Sequence, residues 1–217
     1  MVLTFFVLML MNIIKTGHVS ALGSCPKCGN VEVPYPFSTD DTCGDSRYKI
    51  YCNNSNNGNG ILEFKSAEGF YYKILSIDPS AQRLIISPPD LVQDGDTCQT
   101  SDFSLEGLRL DEHLPFNVST RNTVILLNCS DNLLRSPLNC TSNSLCRVFQ
   151  DKMLEGKNNA CKGGLCCHYL KDSHMTSYVI RVRVGGCTAY TSVVDIRPED
   201  PVEKWSYGIE LQWLPPN

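Results

Sequence analysis

Short stretches rich in Ile, Val, Leu, Tyr and Thr recur along the chain, separated by clusters of Gly, Pro, Asn and Asp. β-Branched and aromatic residues favour extended backbone, and the polar clusters favour turns. Eight strands are predicted: Tyr48–Cys52, Ile61–Phe64, Tyr71–Ile77, Arg83–Ser87, Thr123–Cys129, Tyr178–Val184, Thr188–Ile196 and Gly208–Trp213. Short strands joined by turns indicate a mainly β fold, built as antiparallel sandwich-like or barrel-like modules.

A few segments depart from this pattern. Apolar residues at helical spacing predict one short helix from Leu145 to Glu155, which Gly156 is suited to end. The polar run from Asn53 to Gly60 predicts a hairpin tip. The acidic stretch Asp90–Asp102 around Cys98 is interpreted as a tethered loop.

The first residues form a separate apolar segment. Val2–Ile14 is almost continuously apolar, and small residues follow it up to Ser24. That length is typical of a secretory signal peptide and short for a membrane span, which needs about 20 apolar residues. We therefore predict a signal peptide over residues 1–23 and a secreted chain, with an uncleaved anchor as the alternative. No second apolar run of spanning length follows in the sequence.

The chain has twelve cysteines, an even number that in a secreted protein is typical of disulfide bonds. They fall into two groups of six: Cys25, Cys28, Cys43, Cys52, Cys98 and Cys129, then Cys140, Cys146, Cys161, Cys166, Cys167 and Cys187. This grouping predicts two modules, 24–130 and 131–217, each closing its own bridges, with a boundary near Ser130–Asn139. The spacing leaves the connectivity open, and it leaves zinc open because Cys25-Pro-Lys-Cys28 resembles half of a zinc ribbon.

Four Asn-x-Ser/Thr triplets are expected to carry glycans in a secreted chain and therefore to lie at the surface. They begin at Asn53, Asn117, Asn128 and Asn139.

Composition and charge exclude some classes of function. Hydrophobic residues make up 42% and charged residues 19%, which argues against disorder throughout. The net charge of −4 disfavours a nucleic-acid binder, which neutralises phosphates with excess Lys and Arg. Residues 24–130 carry eight Lys and Arg against fourteen Asp and Glu, a net charge of −6, whereas residues 131–217 have a net charge of +1.

The opening of the mature chain carries a specific motif. It reads Cys25-Pro-Lys-Cys28-Gly-Asn-Val-Glu-Val-Pro-Tyr-Pro-Phe37, and it is followed by Cys43-Gly44 and by the segments Tyr48–Cys52, Tyr72–Ile77 and Leu84–Pro88. These residues resemble the galacturonan-binding domain of plant wall-associated receptor kinases. The segments Cys161–Cys167, Gly186–Ser192 and Trp205–Trp213 resemble the cysteine-rich region that follows this domain. The sequence contains no Gly-rich phosphate loop, H-R-D or D-F-G motif, so it looks like an ectodomain alone, from a soluble member or a truncated receptor.

The resemblance implies a function in the plant cell wall. It implies a non-catalytic protein that binds pectin, specifically de-esterified galacturonan, with a membrane receptor kinase as a further partner and no nucleic acid. Two alternatives stay open: a module that binds a peptide or receptor, favoured by the charge of −6, and a pectin hydrolase or lyase.

Galacturonan carries one carboxylate per sugar, so recognition is expected to use cations beside aromatic rings. Because residues 24–130 are acidic overall, a local basic patch is needed. The candidate binding residues are Arg47, Lys49, Lys65, Lys73, Arg83, Tyr48 and Tyr72, interleaved with Tyr51, Phe64 and Tyr71. Arg181 and Arg183 form a second candidate stripe. Trp205 and Trp213 could stack on sugars, but a core position is favoured for at least one of them.

No catalytic residue and no protein-bound metal or cofactor is predicted. The histidines are accompanied by no nucleophile elbow or zinc-protease motif. Calcium is considered only as a bridge to pectin. Asp90, Asp94, Asp96 and Asp102 cluster in the sequence but do not match an EF-hand loop, so an ordinary acidic loop is the preferred interpretation.

Overall fold

The computed structural model describes residues 23–54, 59–130, 147–148, 151–152, 161, 167–170, 175–182, 186–197 and 199–216. Within these ranges the chain forms strands and short 3₁₀ helices. The strands are β1 (Tyr51–Asn54), β2 (Gly60–Lys65), β3 (Tyr71–Asp78), β4 (Arg83–Ile86), β5 (Leu91–Asp94), β6 (Thr97–Thr100), β7 (Gly107–Arg109), β8 (Phe116–Val118), β9 (Asn122–Leu127), β10 (Cys167–Leu170), β11 (Val179–Arg181), β12 (Ala189–Val194), β13 (Ser206–Tyr207) and β14 (Ile209–Trp213). The 3₁₀ helices are η1 (Ser46–Tyr48), η2 (Phe103–Leu105) and η3 (Val202–Lys204).

The strands form four sheets in which every ladder between strands is antiparallel. The largest has the order β1-β2-β3-β4-β14-β8, and a second has the order β10-β9-β12-β13. The pairs β11-β7 and β5-β6 form two-stranded sheets. The predicted mainly β, antiparallel, disulfide-rich fold is confirmed.

Each of the eight predicted strand segments contains a strand, but the first begins later than predicted. Ser46–Tyr48 forms η1, whose first turn is capped when the Asp45 side chain accepts a hydrogen bond from the backbone N–H of Arg47. The strand β1 starts only at Tyr51. The predicted start of this strand at Tyr48 is therefore wrong, because local capping favours a helical turn at Ser46–Tyr48.

The inner face of the six-stranded sheet contributes much of the main core, with Leu62, Phe64, Tyr72, Leu84 and Leu211 buried. The opening motif closes one end of this core. Phe37 is fully buried, and its ring lies edge-on to Trp213 at a centroid distance of 4.8 Å. The last residue of the Pro-Tyr-Pro-Phe motif thus packs against the last strand of the chain, so this part of the motif is structural.

Four disulfides are present among the described residues: Cys25–Cys43, Cys28–Cys52, Cys98–Cys161 and Cys129–Cys187. The zinc alternative is wrong, because Cys25 and Cys28 each bond a different cysteine. The expectation that each group of six closes its own bridges is also wrong, because the last two bridges join the groups. Cys140, Cys146, Cys166 and the side chain of Cys167 lie outside the described residues.

Strands from both predicted regions lie in the same sheets. β14 lies between β4 and β8, and β12 pairs with β9 over six residue positions. These strands share one core, because the main apolar cluster contains residues from Cys25 to Trp213. The division into 24–130 and 131–217 stays a prediction.

Several predictions concern residues without a described structure. Residues 1–22 of the predicted signal peptide, residues 131–139 of the boundary segment and residues 55–58 of the predicted hairpin tip lie outside the described ranges. Of the predicted helix, Arg147–Val148 and Asp151–Lys152 are described and are helical. No helix within the described residues has the length and apolar character needed to cross a membrane.

Candidate functional site

The outward face of β1, β2 and β3 brings aromatic and cationic side chains together. In the strand register Tyr51 lies opposite Glu63, Glu63 opposite Lys73, and Lys65 opposite Tyr71. Side chains alternate between the two faces of a strand, so these five residues share the face opposite the core. We call Tyr51, Glu63, Lys65, Tyr71 and Lys73 the platform.

The two platform tyrosines form a pair that supports a lysine. Their ring centroids lie 5.2 Å apart at an interplanar angle of 86°, and Tyr71 is 44% exposed. The Lys65 ammonium lies 5.8 Å from the Tyr51 centroid and 5.6 Å from the Tyr71 centroid. A cation at this distance is attracted by the ring face, so Lys65 is held over an aromatic surface with its charge available.

Three depressions follow β3 along the same side of the sheet. Their volumes are about 230, 720 and 280 Å³. Lys73 lines both the first and the second, and Ser76 lines both the second and the third. The depressions therefore form a continuous surface, which we call the trough.

The second depression arises where β2 and β3 separate. Their ladder ends at the pair Glu63–Lys73, and a bulge between Ile74 and Ser76 then shifts β3 in its register with β4. The bulge leaves Leu75 and Ser76 both exposed, with Leu75 43% accessible. The groove between the strands has mostly apolar walls, formed by Val31, Pro34, Ile61, Leu75, Ile77 and Pro79.

A glycine permits a close approach at the edge of this groove. A Cβ at Gly60 would lie 2.4 Å from the carbonyl carbon and oxygen of Cys28. Any larger residue would push the Cys28–Val31 turn away from β2. Val31 can therefore line the groove only because residue 60 is a glycine.

Arg83 lies at the far end of the trough, in the third depression. Its Nε is buried and makes no hydrogen bond. The residue opposite it, Asp78, has one carboxylate oxygen that accepts from the Ser80 hydroxyl at 2.6 Å and from the backbone N–H groups of Ser80 and Ala81. These hydrogen bonds, that of the Ser80 side chain first, lower the pKa of Asp78, so this carboxylate is engaged by its own turn.

The other arginine of the third depression is already paired. Arg121 donates from Nε and Nη2 to both carboxylate oxygens of Asp195, and from Nη1 to Glu210 at 3.0 Å. The hydrogen bonds to Asp195, and then those to Glu210, raise the pKa of Arg121. Arg121 therefore supports the local fold, and Arg83 is the cation of this depression with an unused donor.

Of the predicted binding residues, Lys65 and Lys73 lie on the platform, and Lys73 and Arg83 line the trough. Position 78, which pairs with Arg83, lies five residues along β3 from Lys73, so these two backbone positions are about 16 Å apart at 3.3 Å per residue. The two remaining predicted cations lie outside the sheet and are paired. Arg47 bonds Asp45 at 2.7 Å, and Lys49 bonds Asp41 at 3.3 Å.

The two tyrosines predicted to contact the ligand are core residues, and this prediction is corrected. Tyr48 and Tyr72 are 1% and 2% exposed. The Tyr48 hydroxyl donates to the carbonyl of Leu214 at 2.5 Å, and the Tyr72 hydroxyl donates to Asp102 at 2.8 Å. Tyr51 and Tyr71, which the sequence placed only among the interleaved aromatics, provide the exposed rings. Glu63 and Leu75 were not predicted as site residues at all.

Asp102 connects the platform strand to the other large sheet. Its Oδ2 accepts hydrogen bonds of 2.8 Å from the hydroxyls of both Tyr72 on β3 and Tyr190 on β12. Burial raises the pKa of Asp102, and the tyrosine hydrogen bonds oppose this shift. Burial likewise raises the pKa values of both tyrosines, with the Asp102 charge adding to the effect, so both hydroxyls remain donors.

The acidic stretch holds a hairpin rather than a loop. Asp94 and Thr97 pair across the β5–β6 turn, Gly95 adopts a positive φ of 58°, and Cys98 is tethered to Cys161. The buried Asp102 carboxylate is engaged with two tyrosines. Within the described ranges, no group of three or more His, Cys, Asp or Glu residues is placed to hold a metal ion.

The remaining candidates lie away from the trough or within the core. Arg181 is exposed on β11 in a separate ladder, and Arg183 lies outside the described residues. Trp205 and Trp213 are both buried, whereas the sequence favoured a core position for at least one of them.

The glycosylation triplets lie in different surroundings. Asn53 is exposed on the platform side of β1, opposite Ile61, and Asn117 is half-buried opposite Gln212. Asn128 donates from Nδ2 to the Cys98 carbonyl and the Thr188 hydroxyl, the two bonds its amide has to give. Asn139 lies outside the described residues.

Comparison with known proteins agrees with the sequence motif. Residues 25–88 match the family model described as wall-associated receptor kinase galacturonan-binding. This range includes the whole platform, Leu75 and Arg83. No solved structure matches the chain significantly.

Two curated proteins of Arabidopsis thaliana are similar to most of the chain. Wall-associated receptor kinase-like 20 is 42% identical over 88% of this chain and 29% of its own length. Wall-associated receptor kinase-like 15 is 39% identical over 99% of this chain and 33% of its own length. The chain thus spans about a third of each relative. The chain is therefore homologous to wall-associated receptor kinase-like proteins, and its residues 25–88 match the model of the wall-associated receptor kinase galacturonan-binding family.

Proposed function

We propose that the platform binds de-esterified galacturonan and that the chain acts as a non-catalytic pectin-binding protein of the cell wall. The observation that carries the proposal is the Lys65 ammonium held over the Tyr51–Tyr71 pair, inside the range that matches the galacturonan-binding family. In this proposal the rings contact the sugar faces, and Lys65 and Lys73 pair with carboxylates.

The charge distribution restricts how such binding works. Residues 24–130 have a net charge of −6, so a polyanion gains little from long-range attraction. Affinity must come from contacts at the platform. There the negative charge of Glu63 partly offsets the attraction of Lys65 and Lys73 for a carboxylate. Modest affinity per site and binding along several sugars are expected. The four disulfides support placement of the protein in an oxidising compartment, here the extracellular wall.

The test is equilibrium binding of the secreted protein to oligogalacturonides at about physiological salt, with and without calcium. Exposed ion pairs contribute about 0.2–1 kcal/mol each. Lys65→Met with Lys73→Met is therefore expected to weaken binding roughly two- to thirtyfold. Arg181→Met, which removes an exposed cation from β11, is the matched control and should change little. Equal losses in both variants, or no binding in either calcium condition, would contradict the proposal.

The alternative of a protein partner rests on the acidic charge of residues 24–130 and is tested in parallel. A basic protein that is recovered by cross-linking and is not displaced by oligogalacturonide would favour it. A fall in the viscosity of a pectin solution after protein is added would instead favour the hydrolase or lyase alternative. A membrane receptor kinase remains a proposed partner.

A further inference from the structure

The strand β3 has an open edge where it separates from β2. Its ladder with β2 ends at Lys73, whereas its ladder with β4 continues to Asp78. Among the described residues, no strand pairs with residues 74–78 on the side of β2. An antiparallel strand directs its N–H and C=O groups to alternate sides, so part of this stretch directs them towards the groove. An unpaired strand edge of this kind is a template for an additional strand.

The groove beside this edge is accessible and mostly apolar. Leu75 is 43% exposed, Ser76 is exposed, and Val31 and Ile61 form part of the facing walls. The Cys28–Val31 turn packs against β2 at Gly60, so of the two separating strands β3 has the accessible edge.

An extended peptide matches both properties of the groove. Its backbone can continue the ladder of β3, and its alternate side chains can contact the apolar walls, as in other cases of strand addition. A polysaccharide has no regularly spaced N–H and C=O groups with which to continue a ladder. The open edge therefore favours a peptide over a sugar chain.

The charges along the trough favour a cationic partner. Six carboxylates line its three depressions, those of Glu32, Glu63, Asp78, Asp90, Asp195 and Glu210. The lining cations are Lys73, Arg83 and Arg121, and Lys27 adds a fourth by pairing with Glu32. Six negative charges against four positive ones leave a net negative surface, within a region whose own net charge is −6. Such a surface attracts a basic peptide and repels a polyanion.

We propose that the groove binds a short, extended, cationic peptide that pairs with residues 74–78 as an added strand. Its alternate apolar side chains contact Leu75 and Val31. Its basic residues lie near Glu63 and Asp90 at one end of the trough and near Asp78 at the other. The open edge comprises five residues, so a peptide of about five to seven residues covers it. This site is separate from the pectin binding proposed for the platform.

The first measurement compares three synthetic peptides with blocked termini by equilibrium binding to the secreted protein. They are Lys-Val-Ser-Val-Ser-Val-Lys, the same sequence with Glu at both ends, and the same sequence with Ser in place of Val. The first is expected to bind at least about tenfold more tightly than either of the others, because it alone combines positive charge with apolar side chains. Equal binding of the Lys and Glu peptides, or no binding of any peptide, would overturn the proposal.

The second measurement repeats the titration of the first peptide with Leu75→Lys. This change removes an apolar wall and adds a like charge, so binding should weaken about tenfold. Val92→Lys is the matched control, because Val92 on β5 is 40% exposed and does not line the trough. It should leave the affinity unchanged, and thermal unfolding checks that both variants fold. Equal losses in the two variants would contradict the assignment to the groove.

The third measurement locates the bound peptide by hydrogen exchange of the native protein. Backbone amides within residues 74–78 should exchange more slowly when the first peptide is bound, because added-strand hydrogen bonds protect them. Protection confined to other residues would overturn the proposal. Protection of residues 74–78 by de-esterified oligogalacturonide and not by the peptide would assign the groove to sugar instead. Peptide binding at this edge in protein that binds no galacturonan would support this inference while the proposed function fails.

Discussion

Two tyrosine pairs, one on each side of the six-stranded sheet, have opposite roles. Tyr51 and Tyr71 lie on the outward face and hold Lys65 over their rings, whereas Tyr72 and Tyr190 lie inside and donate to one buried carboxylate. Tyr71 and Tyr72 are adjacent in sequence, so the strand pleat alone separates a residue suited to binding from a residue needed for folding. The residue type alone therefore does not reveal the role of a tyrosine here, because the role depends on which face of the strand the side chain occupies.

The largest expected effect separates the two neighbours. Tyr72→Ala should lower the free energy of unfolding by about 3–5 kcal/mol, because it removes a buried ring. Tyr71→Ala should change it by at most about 0.5 kcal/mol while weakening galacturonan binding. Urea unfolding and binding titrations of the two variants check this. If Tyr71→Ala and Tyr72→Ala lower the free energy of unfolding by similar amounts, the two faces of the strand do not have different roles.

The next prediction concerns the hydrogen bonds to Asp102. Tyr190→Phe removes one donor to that carboxylate and should cost about 1.5–3 kcal/mol of stability where Asp102 is ionised, since bonds to charged groups are worth that much. The loss should be smaller at acidic pH. Urea unfolding of both proteins at several pH values measures it, and a loss independent of pH would contradict the assignment.

The raised pKa of Asp102 has its own consequence for stability. The folded state holds this proton more tightly than the unfolded chain, so the stability it contributes is fully present below the ordinary Asp pKa of about 3.9. That contribution is lost as the pH rises through the raised folded pKa. Asp102→Asn should remove this loss, and unfolding curves of both proteins across the acidic range show whether their difference follows it.

A smaller effect is expected on the outward face. Glu63→Gln removes the negative charge beside Lys65 and Lys73 and should strengthen binding of oligogalacturonide about two- to fivefold, since one unit charge at 4 Å in water is worth about 1 kcal/mol. Glu112→Gln is the matched control, because Glu112 is exposed and lies outside the trough. If Glu63→Gln leaves the affinity unchanged, the carboxylates of the ligand do not bind beside Lys65 and Lys73.

The smallest expected effect concerns Asn53, which shares the platform side of β1 with Tyr51. A glycan there would crowd one edge of the platform, so Asn53→Gln should improve binding by about twofold in protein from a glycosylating host. Ser55→Ala keeps Asn53 but removes the triplet and should act alike. If Asn53→Gln improves binding equally in protein made without glycans, the asparagine side chain itself, and not a glycan, causes the effect.

Many of the strands are predictable from the sequence, because the alternation of apolar and polar residues indicates which side chains are buried. β2, β3 and β14 follow their apolar patterns closely. The β5–β6 hairpin was missed although Asp94-Gly95 is a turn signal, because polar and acidic residues hide the strands that flank it. β8 has only three residues, too few for a period to show.

The site was harder to predict than the strands. Lys65, Lys73 and Arg83 were identified because a polyanion requires cations. The exposed tyrosines were confused with buried ones, since aromatic residues suit either face and the register decides between them. The groove depends on the separation of β2 from β3 and on the bulge at Ile74–Ser76, and neither feature leaves a local signal in the sequence.

The position of β14 affects how the protein is made. The strand β14 lies between β4 and β8, so both of those strands keep an unpaired edge until residues 209–213 have emerged from the ribosome. Exposed strand edges invite pairing with other chains. The nascent protein is therefore vulnerable to aggregation until β14 has paired with β4 and β8, and residues 25–88 expressed alone should be insoluble or dependent on a chaperone.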